Sequence, residues 1–289
     1  MRILITGGTG TVGKALVSSL LEDRSYFLIL VVRDKNVAVA LFGETENIDY
    51  VSSSELEAVR EKDPDVVIHL AAFITSNDDE DSMDALIDSN ISFASHLLFQ
   101  LQYCTNIRLF INFGTFAEYR FGPCEVNNAY LYSATKTAFK EILKYYSDKS
   151  RYRYINIIPY TIYGGNDGSK KAIDYLKDSM GSPEPVSMTN GEQVLDFIHL
   201  ADVISFLDYM LVHIDTVLAK PYTDYFLGTG QGHSLRDVAL MLEHKYGRKC
   251  NVDWGAKEYR PRDIMHAVAP VGRLIDIGWK AERSLEDNI

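Results

Sequence analysis

Tyr132 and Lys136 stand four residues apart in AYLYSATKTAFKEILKYY, the spacing that puts two side chains on one face of a helix. An ammonium beside a phenol stabilises the phenolate and lowers the tyrosine pKa toward working pH, so the pair could give and take a proton. Just upstream, FINFGT ends on Thr115, whose hydroxyl could hydrogen-bond the same substrate oxygen. A second set opens the chain. RILIT is followed by Gly7, Gly10 and Gly13 at three-residue spacing, and then by an amphipathic run. Each sign has a bland reading. Tyr-x-x-x-Lys arises by chance on a helix with several tyrosines, and a glycine turn can be only a tight turn.

The glycine spacing suits a dinucleotide. Gly7 would permit the turn, Gly10 would let backbone approach a pyrophosphate, and Gly13 would let the helix pack closely on the strand. The helix N-terminus beginning at Thr11 and Val12 offers N–H groups and a positive dipole end to phosphates. The second strand ends VVRD, and Arg33 lies 20 residues after Gly13. A guanidinium pairs bidentately with a phosphate, so Arg33 favours NADP (NADPH) over NAD. The alternative is a solvated Arg33 with Asp34 taking the ribose.

Elements must place these residues together. RILIT (2–6), FLILVV (27–32), DVVIHLAA (65–72), LFINF (109–113) and YINIIPY (154–160) are nearly continuous apolar runs, as in parallel strands buried on both faces. Helical stretches alternate with them, which predicts an α/β, Rossmann-like, doubly wound parallel sheet. After Gly164 the pattern changes. Residues 170–180 read as a helix, 188–210 as hairpin, strand and helix, 225–230 as a late strand, and 234–247 as a helix capped by Ser234. We expect a dinucleotide-binding domain over 1–165 with a return segment at 200–229. A smaller α/β substrate-binding lobe is expected from 166–199 and 230–289. A ligand would sit between the lobes, at the carboxyl ends of the parallel strands.

The 289 residues allow a sizeable core, and a net charge of −11 argues against nucleic-acid or anionic-membrane binding. No apolar run approaches the roughly 20 residues of a membrane span, and no signal peptide precedes the first strand. Cys104, Cys124 and Cys250 lack metal-ligand spacing, so reduced thiols, a cytoplasmic setting and no metal are expected. His69 and His199 each sit in an apolar strand-like run and read as core histidines with backbone partners.

Taken together, TGGTGTVG, HLAA (69–72), Asn90, Thr115, Tyr132/Lys136 and LDFIHLADV (195–203) resemble the extended short-chain dehydrogenase/reductases, and within them the nucleotide-sugar epimerase/dehydratase group. The resemblance covers nearly the whole chain. It implies that Tyr132 is the acid/base, that Lys136 holds the nicotinamide ribose and tunes Tyr132, and that Thr115 orients the substrate oxygen. It adds Ala71, Ala72 and Asn90 to the cofactor site and places Pro159, Tyr160 and Ile162 along the nicotinamide. NGEQVLDFIHLADV, YTDYFLGTGQGHSLRDV and WGAKEYRPRDIM resemble the CDP-abequose synthase branch, which reduces a 4-keto deoxysugar nucleotide with NADPH. On that resemblance Phe116, Asn166, Lys170, Gln193 and Arg260 are substrate contacts, with Arg260, Lys170 or Lys171 serving the diphosphate.

Departures narrow the chemistry. Sugar-nucleotide 4,6-dehydratases carry Asp-Glu after the strand-end Thr, and the GDP-fucose synthase type carries Cys; Phe116 and Ala117 stand here instead. Leu195 and Ile158 replace arginines common in relatives, and the usual acidic residue near Ser52–Ser54 is missing. The leading expectation is an NADPH-dependent 4-ketoreductase of a nucleotide-diphosphate 4-keto-6-deoxy sugar serving a surface glycan such as lipopolysaccharide. The alternatives are an NDP-sugar 4-epimerase that retains NAD(P), and a non-catalytic NADP-binding sensor. Two helices carry apolar residues over more than one stripe (Ile91, Phe93, Ala94, Leu97, Leu98 and Leu101; Leu131, Ala134, Ala138, Phe139, Ile142 and Leu143); one stripe must face the sheet, and the surplus beyond it predicts a second buried face and a homodimer.

Overall fold

The computed structural model describes residues 1–150, 152–165 and 170–289. In chain order the strands are β1 (Arg2–Thr6), β2 (Phe27–Val32), β3 (Ile48–Ser52), β4 (Val66–His69), β5 (Leu109–Phe113), β6 (Arg153–Pro159), β7 (Thr161–Tyr163), β8 (Val186–Met188), β9 (Val194–His199), β10 (Asp224–Leu227), β11 (Gly232–Ser234), β12 (Val252–Trp254) and β13 (His266–Ala267). Seven form one sheet in the order β10-β6-β5-β4-β1-β2-β3, with every pairing parallel. This is the Rossmann-like sheet that the alternating strands and helices predict. β10 is the late strand, returned to the main sheet beside β6.

Apolar residues fill both faces. On one, Ile3, Ile5, Leu28, Leu30, Ile68 and Ile111 pack with Leu16, Val17 and Leu20 of the helix Thr11–Glu22 and with Val203, Phe206, Leu207 and Met210 of the helix Leu200–Val212. On the other, Leu4, Ile29, Val67 and Phe110 lie under Leu97, Leu98 and Leu101 of the helix Phe93–Leu101 and Phe139 and Leu143 of the helix Leu131–Lys149. One rank nearer the carboxyl ends, on this second face, the sheet turns polar. Thr6, His69, Asn112, Asn156 and Asp224 are partners in register across five adjacent strands. Thr6 Oγ1 lies 2.8 Å from His69 Nδ1, Asn112 Nδ2 donates to Asn156 Oδ1 at 2.8 Å, and Asn156 Nδ2 donates to Asp224 Oδ1 at 3.2 Å.

The later residues build a smaller sheet, β11-β9-β13, with β7 also paired to β9, and the two-stranded pair β12-β8. Tyr163, Leu176, Phe197, Val238 and Leu242 form their core. Ser234 caps the helix Leu235–Tyr246 by accepting from Asp237 N, as the sequence predicts. β3 was not among the clear apolar runs because it is an edge strand with only part of its residues buried. No helix among the described residues is long and apolar enough to cross a membrane.

Half of the apolar residues named on the two helices supply the stripe that faces the sheet: Ala94, Leu97, Leu98, Leu101, Phe139 and Leu143 are buried against the sheet and one another. The large apolar side chains left exposed on these helices and the one before them are Met83, Ile87, Phe99 and Tyr145. The histidines match the expectation in part: His69 is in the core but has a side-chain partner, and His199 has a backbone partner but is not fully buried. His69 bonds a side chain, Thr6, among Phe93, Phe110 and Phe139 rings. His199 is half-buried and caps the helix Leu200–Val212, its Nδ1 accepting from Ala201 N.

Candidate active site

The glycine turn is built for close approach. Gly7 has φ +72°, and a Cβ there would lie 2.6 Å from Ala71 N. A Cβ on Gly13 would lie 2.1 Å from Gly7 O, so these two glycines are demanded by the chain itself. Gly10 is different. A Cβ there would meet only Gly7 O, at 3.4 Å. Gly10 is also the N-cap of the helix Thr11–Glu22, and it has no side chain to occupy the N–H groups that open it. Bare backbone, a helix N-terminus and an open approach fit a dinucleotide pyrophosphate. Ala71 and Ala72 follow β4 beside this turn, and Ala71 N donates to Thr6 Oγ1.

At the end of β2, Arg33 is exposed and has no ion-pair partner among the described residues. Asp34 caps the next helix, its Oδ1 accepting from Asn36 N at 2.8 Å and Val37 N at 3.3 Å. Asn90 is buried, and its amide is spent inside the protein: Oδ1 accepts from Phe73 N, and Nδ2 donates to Phe73 O and Thr135 Oγ1. It ties the loop after β4 to the helix that carries Tyr132 and Lys136.

Thr115 follows β5, buried, and caps the short turn Phe116–Glu118. Its Oγ1 accepts from Ala117 N at 3.2 Å, which leaves the hydroxyl proton for another acceptor. The turn packs against the helix Leu131–Lys149. One carboxylate joins them: Glu118 Oε1 accepts from Thr115 N at 2.8 Å and Oε2 from Thr137 Oγ1 at 2.9 Å. Phe116 stacks on Tyr160, ring centroids 5.5 Å apart, an apolar wall formed after β5 and β6.

The electrostatics differ from expectation. Burial, and then the Glu118 charge, push the Tyr132 phenol up, not down. Lys136 is pushed down to about 8 by burial, opposed by Glu118. His69 beneath is pushed down to about 3, first by burial and then by Lys136, so it is neutral. Tyr132 is thus a protonated phenol, one helical turn from an amine poised near neutrality.

The residues proposed for the substrate are less concentrated. Pro159 ends β6 and Ile162 lies in β7, following the same sheet edge. Arg260 sits with its guanidinium 5.9 Å from the Tyr130 ring centroid, two residues from Tyr132. Gln193 donates weakly to Thr189 Oγ1, and its buried Oε1 has no partner among the described residues. Lys170 is turned away, paired on the surface with Asp178 at 2.6 Å. Asn166 lies outside the described residues. The sequence did not single out Glu118, Tyr130, Arg262 or Asp263. Tyr130 donates to Asp263 Oδ1 at 2.8 Å, and Arg262 donates to Asn128 O at 2.6 Å. These bonds strap the late segment onto the approach to the helix of Tyr132 and Lys136, beside a cleft of about 620 Å³ lined by Asp79, Met83, Asn128, Tyr130 and Arg262. No group of metal-ligating side chains occurs among the described residues.

Known proteins are similar to this chain in sequence and in fold. CDP-abequose synthase of Salmonella typhimurium is 29% identical, the match covering 96% of this chain and 92% of that protein. CDP-abequose synthase of Yersinia pseudotuberculosis is 26% identical over 92% and 95%. Among solved structures, UDP-glucuronic acid 4-epimerase from Bacillus cereus, in complex with UDP-glucuronic acid and NAD, superposes with a TM-score of 0.84. It is 19% identical, and the match covers 100% of this chain and 96% of that one. These are enzymes of sugar-nucleotide chemistry on a nucleotide-binding fold. The sequence profile of the NAD dependent epimerase/dehydratase family matches residues 3–228, and the chain belongs to that family of NAD(P)-binding, oxidoreductase-type enzymes.

Proposed function

We propose that the protein reduces the C4 ketone of a nucleoside-diphosphate 4-keto-6-deoxy sugar with NADPH, giving a single C4 epimer for a surface glycan. The observation that carries this is the surroundings of Thr115. The helix that carries Tyr132 and Lys136 packs against its turn, and Phe116 and Ala117 follow it where an eliminating enzyme needs an acid. Glu118, the next carboxylate along the chain, has both oxygens engaged inside the protein.

A bound nicotinamide dinucleotide supplies the hydride. Gly7, Gly10, Thr11, Val12 and Gly13 hold its pyrophosphate against the helix N-terminus, and Arg33 receives a 2′-phosphate because Asp34 is committed to its cap. Thr115 donates its free hydroxyl proton to the sugar carbonyl. Tyr132 delivers a proton to the oxygen as negative charge develops there, and Lys136 stabilises the phenolate left behind. Phe116 and Tyr160 present an apolar surface suited to a deoxygenated 6-position. Arg260 offers the diphosphate a cation. The exposed Met83, Ile87, Phe99 and Tyr145 supply a contact between two copies, and a homodimeric mass by light scattering at micromolar concentration checks it.

The test is to make the ketosugar in situ with a 4,6-dehydratase, then follow NADPH absorbance and product NMR. Stoichiometric NADPH consumption with one C4 epimer is expected. The second reading is a 4-epimerase with retained cofactor, which the fold of the Bacillus cereus epimerase favours. It predicts no NADPH consumption with any CDP-, GDP-, dTDP- or UDP-ketosugar.

A further inference from the structure

Glu118 is 1% exposed and belongs to no part of the proton path just described. Its place is prepared. A Cβ on Gly114 would lie 2.6 Å from Glu118 Oε1, so the chain leaves out a side chain there to admit the carboxylate. One oxygen accepts from Thr115 N and the other from the Thr137 hydroxyl, which also reaches Asn128 Oδ1 at 3.1 Å. Burial pushes the carboxyl up, opposed by these two bonds and by the Lys136 and Lys140 charges, which favour the ionised form. Thr137 follows Lys136 directly. Lys136 is 3% exposed, and no carboxylate forms an ion pair with it among the described residues. The charged or titratable groups that interact with it are Glu118 on the turn and neutral His69 on β4, while Tyr132 and Lys140 stand one turn before and after it on its own helix. Lys140 is already paired with Asp224 on β10 at 2.6 Å. Tyr119, on the far side of Glu118, is a neutral phenol pushed up by burial and then by Asp224 and Glu118. Glu118 is thus the buried negative charge within reach of Lys136.

We propose that Glu118 is a positioning residue of this active site: one carboxylate that fixes Thr115 against the helix of Tyr132 and Lys136 and supplies the negative charge facing Lys136. The proposal rests on the reading of Tyr132 and Lys136 as the proton-transferring pair. Removing the charge lowers the affinity of both Lys136 and Tyr132 for a proton, because Glu118 favours the protonated form of each. Glu118→Gln keeps the shape, an acceptor for Thr115 N and a partner for Thr137, and loses only the charge.

Lysine-labelled protein without ligand gives the direct readout: the NMR titration of the Lys136 side chain, assigned with Lys136→Met. Glu118→Gln should move its midpoint down by about one pH unit or more. The alkaline limb of kcat should move down with it. An unmoved Lys136 midpoint in Glu118→Gln overturns the proposal, whatever the substrate proves to be. Tyr132→Phe with wild-type turnover overturns instead the reading of the reaction. If Glu118→Gln does not fold, Thr137→Val takes its place, removing one hydrogen bond to the carboxylate and no charge. It should lower kcat several-fold at unchanged cofactor Kd, and wild-type kcat there overturns the positioning role.

Discussion

Two buried carboxylates, Glu118 on the turn after β5 and Asp196 on β9, are set up in similar ways and used differently. Each stands beside a glycine whose Cβ would strike it at 2.6 Å, Gly114 for Glu118 and Gly228 for Asp196. Each is almost fully buried. Asp196 is saturated by neutral donors: Thr229 N and Oγ1, Gly230 N and Ala269 N all donate to it, and no ion pair to it occurs among the described residues. Glu118 has two donors and an ammonium nearby. A carboxylate surrounded by backbone N–H groups fixes the chain, and its charge is consumed locally. One with fewer donors keeps a field that acts on its neighbours.

The sharpest way to break this contrast is Asp196→Ala. It leaves the N–H groups of Thr229, Gly230 and Ala269 without their acceptor, at a cost of at least ~3 kcal/mol. Thermal unfolding should fall by roughly 5–10 °C, while turnover per folded molecule changes far less. Unchanged thermal stability would remove Asp196 from its structural role. Tyr132→Phe should do the opposite. The ring stays packed and the midpoint barely moves, but turnover drops at least ~100-fold with cofactor binding retained.

Arg33→Ala tests a charge held outward for a ligand. NADPH affinity should weaken about tenfold or more, with NADH affinity unchanged, measured by fluorescence titration. Equal loss of both cofactors would reassign Arg33. The smallest effect concerns a third carboxylate, Asp208, which has a single donor, Ser19 at 3.2 Å, and a buried Oδ1 without a partner among the described residues. Burial raises its pKa in the fold, opposed by Ser19. A raised carboxyl contributes stability below its unfolded pKa, near 3.9, and loses it as pH climbs through the folded value. Asp208→Asn should therefore stabilise by up to ~1 kcal/mol at pH 7, with the gain vanishing in acid. Urea melts at the two pH values decide it.

The glycine turn, the first two strands and the Tyr132/Lys136 helix were legible because local rules define them: apolar runs, φ-positive glycine and four-residue spacing. Glu118 was not. In FAEYR it reads as a surface residue, and its burial follows from the missing side chain at Gly114 and from a helix that returns to cover it. Lys170 was chosen as a cation near the cleft, but Asp178, eight residues on, captures it across the helix it precedes. Arg260 was named by motif, and Arg262 was not weighed; that both meet the segment before Tyr132 depends on the course of a loop that no periodicity describes. The direction of the Tyr132 shift was misjudged for the same reason, since burial and a carboxylate distant in sequence push the phenol up.

The polar rank across the large sheet bears on how the chain finds its alignment. Apolar strands rich in valine, isoleucine and leucine can slide past one another by two residues and still present greasy side chains to the same face. Thr6, His69, Asn112, Asn156 and Asp224 remove that freedom. A two-residue slip of β5 would withdraw Asn112 from Asn156 and set an amide against leucine-like neighbours, stranding polar groups in a dry layer. The rank works as a set of index marks, distinguishing the correct alignment from decoys of equal greasiness, and those marks lie directly beneath the helix whose height above the sheet determines where Tyr132 and Lys136 stand.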